Sequence, residues 1–146
     1  MVSISSYHLT KDEKKLIREY CGFVLNRFVK KSVLDKANIK VEIVHENDLE
    51  YALNVKHITR SKNPLIKFKK IMINLGHELI HIKQYLNGEM FDYVAGGVRY
   101  KGSYFDMAFQ MNVESYFEAP WEIEAYGREL GLYKLFVKMK GDEKIK

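Results

Sequence analysis

Residues 77–81 read His-Glu-Leu-Ile-His. In a helix, side chains four positions apart lie on one face, one turn from each other. His77 and His81 can therefore offer two imidazole nitrogens to one metal ion, with Glu78 beside them and within reach of a metal-activated water. Two His ligands with an adjacent carboxylate base are the working parts of zinc hydrolases. In a chain this short the pattern arises by chance on the order of once in a hundred sequences. The competing reading is a solvated helix face that happens to carry two His.

Two His do not complete such a site, because a catalytic zinc takes three protein ligands plus water. His8 lies near the N-terminus, and His45 and His57 lie on or beside predicted strands, where a lone His is more often structural. A carboxylate remains. The chain is basic, with a net charge of +5, yet its acidic residues concentrate between Glu114 and Glu129, which suits a cation. Glu118, Glu122, Glu124 and Glu129 are available there. Glu122 and Glu124 point about 200° apart on a helix, so only one of them can face the metal. Glu122 is preferred as ligand, with Glu124 and then Glu118 as alternatives. Tyr126 shares a face with Glu122. Tyr126 and Arg128, together with Tyr100 and Tyr104, are candidate donors to a developing oxyanion or to substrate.

The elements that must position these residues follow from periodicity. Residues 1–9 read as an irregular lead-in. Thr10 and Glu13 form a capping-box pattern, and a helix is predicted from there to about Leu34. Ile39, Val41 and Ile43 alternate with polar residues and predict a strand; Leu53 to Ile58 predicts a second, separated by a turn at 46–48. That second strand could pair with an extended substrate. Asn63 and Pro64 are a helix start. The central helix is predicted from Pro64 to about Asn87, with Met72, Leu75, Leu79, Ile82 and Leu86 in a buried stripe and Gly88 as its C-cap. Gly76, next to His77, reads either as a tolerated glycine or as a point of close approach. Residues 89–106 predict a loop and a small hairpin around Gly96-Gly97 and Gly102. A last helix is predicted from Pro120 to about Lys140, with Trp121, Ala125, Leu132, Leu135, Phe136 and Met139 inward, and a frayed end over 141–146.

A length of 146 residues, 47% hydrophobic and 29% charged, suits one globular domain, 1–146. No apolar run is long enough to span a bilayer, and the N-terminus lacks signal-peptide character. One cysteine, Cys21, permits no internal disulfide and points to a cytoplasmic, reducing setting. It reads as a small core residue. The basic residues are scattered, so nucleic-acid binding is permitted but unsupported. Nothing in the sequence indicates an oligomeric state.

The segments GHELIHIKQYLNGE and APWEIEAYGRE resemble the small gluzincin-type metallopeptidase domains of phages and bacteria. In several such families the zinc-binding Glu opens an E-x-x-A pattern, and Glu122-Ile123-Glu124-Ala125 matches it over a resemblance covering roughly residues 70–130. The resemblance implies one Zn2+ per chain on His77, His81 and Glu122, with Glu78 as general base. The substrate is then a peptide or protein. It also implies an α+β fold of minimal zincin type, with a small antiparallel or mixed sheet packed on the motif helix and a ligand helix following. Tyr126 departs from the pattern, since that position often holds Asp or Asn. The residue that orients a ligand His is thus open, with Asp106 and Glu124 as candidates. Two other readings stand beside this one. One is a catalytically idle zincin-like binding or regulatory module. The other is a DNA-associated protease resembling the SprT-like group.

Overall fold

A computed structural model of the chain describes residues 2–5, 9–43 and 69–145. The expected strand over 53–58, the turn at 46–48, the helix start at Asn63 and Pro64, and His8, His45 and His57 lie outside the described residues. The architecture is mixed α and β. Strand β1 (Val2–Ser5) is followed by helix α1 (Lys11–Phe28), the short helix α2 (Lys31–Leu34) and strand β2 (Ile39–Glu42). After the motif helix α3 (Lys69–Leu86) come strands β3 (Met90–Asp92), β4 (Val98–Tyr100) and β5 (Ser103–Phe105). Two short helices, α4 (Met107–Met111) and α5 (Val113–Glu118), lead to the long helix α6 (Pro120–Ile145).

The capping box at the start of α1 is formed. The Glu13 amide donates to Thr10 Oγ1 at 3.1 Å, and the Thr10 amide donates to Glu13 Oε1 at 3.3 Å. The helix buries Ile17, Tyr20, Cys21, Val24 and Leu25, a stripe at helical spacing. It ends at Phe28, short of the expected Leu34. Val29 is extended (φ −120°, ψ 135°) while its N–H still closes onto the Leu25 carbonyl. The bend keeps the β-branched side chain of Val29 in the core, where an extended backbone suits it. The expected irregular lead-in is likewise a strand. Val2 and Ile4 alternate with serines and pair in parallel with Ile39 and Val41. Such a four-residue strand has no local turn to announce it, because its partner lies a whole crossover away.

The main core is built by α1, α3 and α6, with β1 and β2 closing one side. Helix α3 packs chiefly on α6, then on α1, and touches β3 at its far end. Helices, rather than a sheet, therefore cover most of the motif helix among the described residues. Met72, Leu79 and Ile80 are fully buried, and Leu75, Ile82 and Leu86 are packed against them. Gly76 marks a close approach: a Cβ there would fall 2.7 Å from the Tyr20 hydroxyl and 3.6 Å from the Glu129 carbonyl oxygen. Gly88 ends α3 with φ 71°. The Glu89 amide donates to the Gln84 carbonyl and the Gly88 amide to that of Tyr85, the paired closure that a left-handed residue after a helix allows.

The segment after α3 is a three-stranded antiparallel sheet ordered β3-β4-β5, one strand more than a hairpin. Lys101 and Gly102, both at positive φ, join β4 to β5 in the two-residue turn that matches strand twist. Asp106 and Asn112 then cap α4 and α5 through their side-chain oxygens. Met90, Val98, Tyr100, Ala119 and Trp121 form a second, smaller core. In α6, Trp121, Ala125, Leu132 and Phe136 are buried as expected, but Leu135 is 46% exposed and Tyr133 is buried in its place. The helix runs on to Ile145, through the segment expected to fray. Among the described residues no helix is long and apolar enough to cross a membrane.

Candidate metal centre

Helix α3 presents His77 and His81 one turn apart, and α6 crosses it to present Glu122. Two contacts fix where α6 delivers that carboxylate. Trp121 is wedged among Tyr100, Phe105 and Phe109, with ring centroids 5.0–6.1 Å away. Ala125, three residues after Glu122, is fully buried in the main core. Glu122 itself is buried, as is His77.

The three side chains converge. His77 Nε2 lies 3.1 Å from Glu122 Oε2, and His81 Nε2 lies 3.1 Å from Glu122 Oε1. The two Nε2 atoms are 3.2 Å apart, and one donor atom from each residue falls within 4.8 Å of the others. A tetrahedral zinc with bonds of about 2.0–2.1 Å spaces its ligands about 3.3 Å apart, so the spacing fits a small cation. The partners behind the rings fit too. His77 Nδ1 is 2.9 Å from Glu129 Oε2, and His81 Nδ1 is 2.9 Å from Gln84 Oε1. Both oxygens can accept from Nδ1, and in that tautomer each Nε2 turns its lone pair toward Glu122, where a metal ion would satisfy it.

Glu78 follows His77 and is exposed. Tyr116 lies half-exposed on α5. Burial first, then the charges of Glu122 and Tyr126, a hydrogen bond to Glu122 and the charge of Glu78 push the Tyr116 hydroxyl up to about 12. It is therefore protonated at neutral pH and able to donate. The Tyr126 ring lies edge-on to His77, centroids 4.4 Å apart, and Phe117 lies 6.0 Å beyond it.

Of the residues singled out in the sequence, His77, His81 and Glu122 come together. Glu124, the alternative ligand, points elsewhere: it accepts from Lys83 Nζ at 2.8 Å, from Gln84 Nε2 at 2.9 Å and from Arg128 Nε at 3.2 Å. Burial raises the Glu124 carboxyl, but the hydrogen bonds from Lys83 and Gln84, the Lys83 charge and Arg128 hold it below its ordinary value. Arg128 is thereby drawn to the Glu124 side and stacks 4.9 Å over Phe28. Glu118 is exposed at the end of α5. Tyr100 packs on Trp121 and Tyr104 on Tyr93. Asp106 caps α4. Cys21 is buried, and burial pushes its thiol up to about 12, consistent with a core role.

The sequence reading named Glu129 only as one of several available carboxylates, and did not single out Gln84 or Tyr116. Glu129 and Gln84, rather than Asp106 or Glu124, meet the two imidazoles. Their spacing carried a usable signal: Glu129 is seven residues after Glu122, and Gln84 three after His81, so each shares a face with its neighbour. Tyr116 carried none, because the segment around it lacks a clear period. Comparison with protein families, curated proteins and solved structures finds no match to this chain.

Proposed function

We infer that the chain is a zinc-dependent metallopeptidase with a minimal zincin-like fold. The observation that carries this reading is the convergence of His77, His81 and Glu122, both imidazoles oriented from behind, beside the exposed carboxylate of Glu78. His77, His81 and Glu122 would hold one zinc, whose chemistry there is that of a Lewis acid, lowering the pKa of a water and polarising a carbonyl.

The protein's own groups do the rest. Glu78 accepts a proton as water oxygen adds to the scissile carbonyl carbon. Tyr116, protonated and hydrogen-bonded to Glu122, would donate to the oxygen on which negative charge develops. The C–N bond then breaks, and Glu78 returns the proton to the leaving amine. The half-exposed rings of Tyr116, Phe117 and Tyr126 flank the site on one side. The single buried Cys21 suits a reducing compartment.

The test is zinc content per chain with peptide hydrolysis on the same preparations. The parent is expected to hold one zinc, Glu122→Ala to lose it, and Glu78→Gln to keep it while hydrolysis falls about 10²–10⁴-fold. Full hydrolysis by Glu78→Gln would overturn the mechanism. One zinc with no hydrolysis in the parent would favour the idle binding module. No zinc in the reconstituted parent would overturn the metal site.

A further inference from the structure

Behind His81 lies a buried polar network that extends away from the metal-facing atoms. Gln84 is fully buried, and Lys83, next to it, is only 6% exposed. The Gln84 amide has two faces that could be interchanged, and its surroundings decide between them. Its Nε2 donates to the Trp121 carbonyl at 2.9 Å and to Glu124 Oε1 at 2.9 Å. Neither acceptor can donate in return. A flipped amide would set its oxygen against two oxygens in a buried place, which is costly. The amide oxygen is therefore left facing His81 Nδ1, at 2.9 Å.

Glu124 is held in turn. Lys83 Nζ lies 2.8 Å from it and 2.9 Å from Glu89, and Arg128 reaches it from the open side. Lys83 belongs to the motif helix and Glu124 to the ligand helix. The charge pair thus joins the two helices one step removed from the converging ligands.

We propose that Gln84 is a positioning residue for His81: its amide, locked by the Trp121 carbonyl and the Lys83–Glu124 pair, holds His81 in the tautomer whose Nε2 is free to bind a metal ion. The two imidazoles are then oriented by different chemistry. His77 leans on a carboxylate, Glu129, and His81 on a neutral amide that a carboxylate keeps from turning. Orienting groups of this kind contribute to metal affinity without touching the metal.

The inference rests on the metal-site reading only for its second readout. The first is long-range 1H–15N correlation of the imidazoles in metal-free protein whose Glu122 is replaced by Ala, the parent for this readout, so that no carboxylate competes for an Nε2 proton, at about pH 9, well above the ordinary imidazole range. The parent is expected to show His81 protonated at Nδ1 and bare at Nε2. Gln84→Met, close in volume and without an acceptor, is expected to give a mixture of tautomers at His81 while His77 keeps its pattern. Glu124→Gln retains the shape, removes the charge, and is expected to fall between. A parent His81 protonated at Nε2, or an unchanged tautomer in folded Gln84→Met, would overturn the proposal. If Gln84→Met does not fold, the parent spectrum and Glu124→Gln decide it.

The second readout is zinc affinity, expected to weaken roughly 10–100-fold in Gln84→Met. Equal affinity in the two proteins, with the tautomer altered, would overturn the link to the metal. A parent that binds no zinc would overturn the proposed function, while the tautomer readout would still decide the positioning claim.

Discussion

The two cores of this molecule differ in kind. The larger is made by three long helices and the β1–β2 pair, and it seals its residues: Ile17, Tyr20, Val24, Leu79, Ile80 and Phe136 have no more than traces of exposure. The smaller, around Trp121 at the start of α6, is largely aromatic and draws its other members from the three short strands, from Phe109 on α4 and from Ala119. Every large apolar side chain that stands exposed among the described residues lies between Tyr85 and Leu135, and none lies on α1, α2, β1 or β2. Glu122 sits where the cores meet, one residue after Trp121 of the small core and three before Ala125 of the large one. The difference teaches a division of labour. Long interlocked helices bring His77, His81 and Glu122 together. A less enclosed aromatic segment supplies the surface beside them, where adaptability is useful.

This contrast can be broken by mutation, and the largest effect belongs to the sealed core. Phe136 is fully buried and packs on Tyr20 and Phe23, centroids 5.0 and 5.4 Å away. Phe136→Ala is expected to cost about 3–5 kcal/mol in denaturant unfolding. A cost under about 1 kcal/mol would show that this core is not the rigid platform.

Tyr116 sharpens the comparison from the other side. Tyr116→Phe is expected to leave stability within about 0.5 kcal/mol of the parent, yet to lower kcat on the order of 10²-fold with zinc content unchanged. Unfolding measurements and steady-state kinetics on one preparation separate the two effects. A loss of stability without a loss of kcat would make Tyr116 a packing residue.

The Gly76 contact yields a smaller change. Helix propensity alone favours Gly76→Ala by about 1 kcal/mol, but the new methyl would meet the Tyr20 hydroxyl at 2.7 Å. A net cost of about 1–3 kcal/mol is expected, reduced in a Tyr20→Phe background. Among the described residues that hydroxyl has no hydrogen-bond partner, so Tyr20→Phe alone should be neutral or stabilising. Thermal unfolding of the two single variants and the double variant checks this.

The smallest effect concerns Cys21. Its thiol ordinarily ionises near 9.0, and burial moves this to about 12. The unfolded chain loses that proton first, so the buried thiol's contribution is intact below about pH 9 and is lost as pH rises toward 12. At pH 8 the thiol is expected to react with a thiol reagent only as fast as the protein opens. Rapid labelling of the folded state would show that the core is not sealed there.

Local chemistry made several features legible without a structure. The Thr10–Glu13 box, the apolar stripe of α3, the Gly88 end, the Pro120 start and the His77–His81 pair each depend on residues within a few positions of one another. That Glu122 and Glu124 could not both face one ion was legible for the same reason, because two positions in one helix differ by a fixed angle; which of them does was not. The strand at Val2–Ser5, the exposure of Leu135 and the role of Tyr116 depend on partners far along the chain, which periodicity cannot supply.

Residue types and spacing thus put two imidazoles and a glutamate on or beside one helix face, and narrowed the third partner to the carboxylates between Glu114 and Glu129. Packing between helices brings Glu122 onto the two imidazoles, sets Glu129 and Gln84 against their Nδ1 atoms, and makes Gly76 the point where α1 and α6 come against α3. The physical reason is geometric. Helical spacing fixes directions within an element, whereas distances between elements follow from how their side chains interlock.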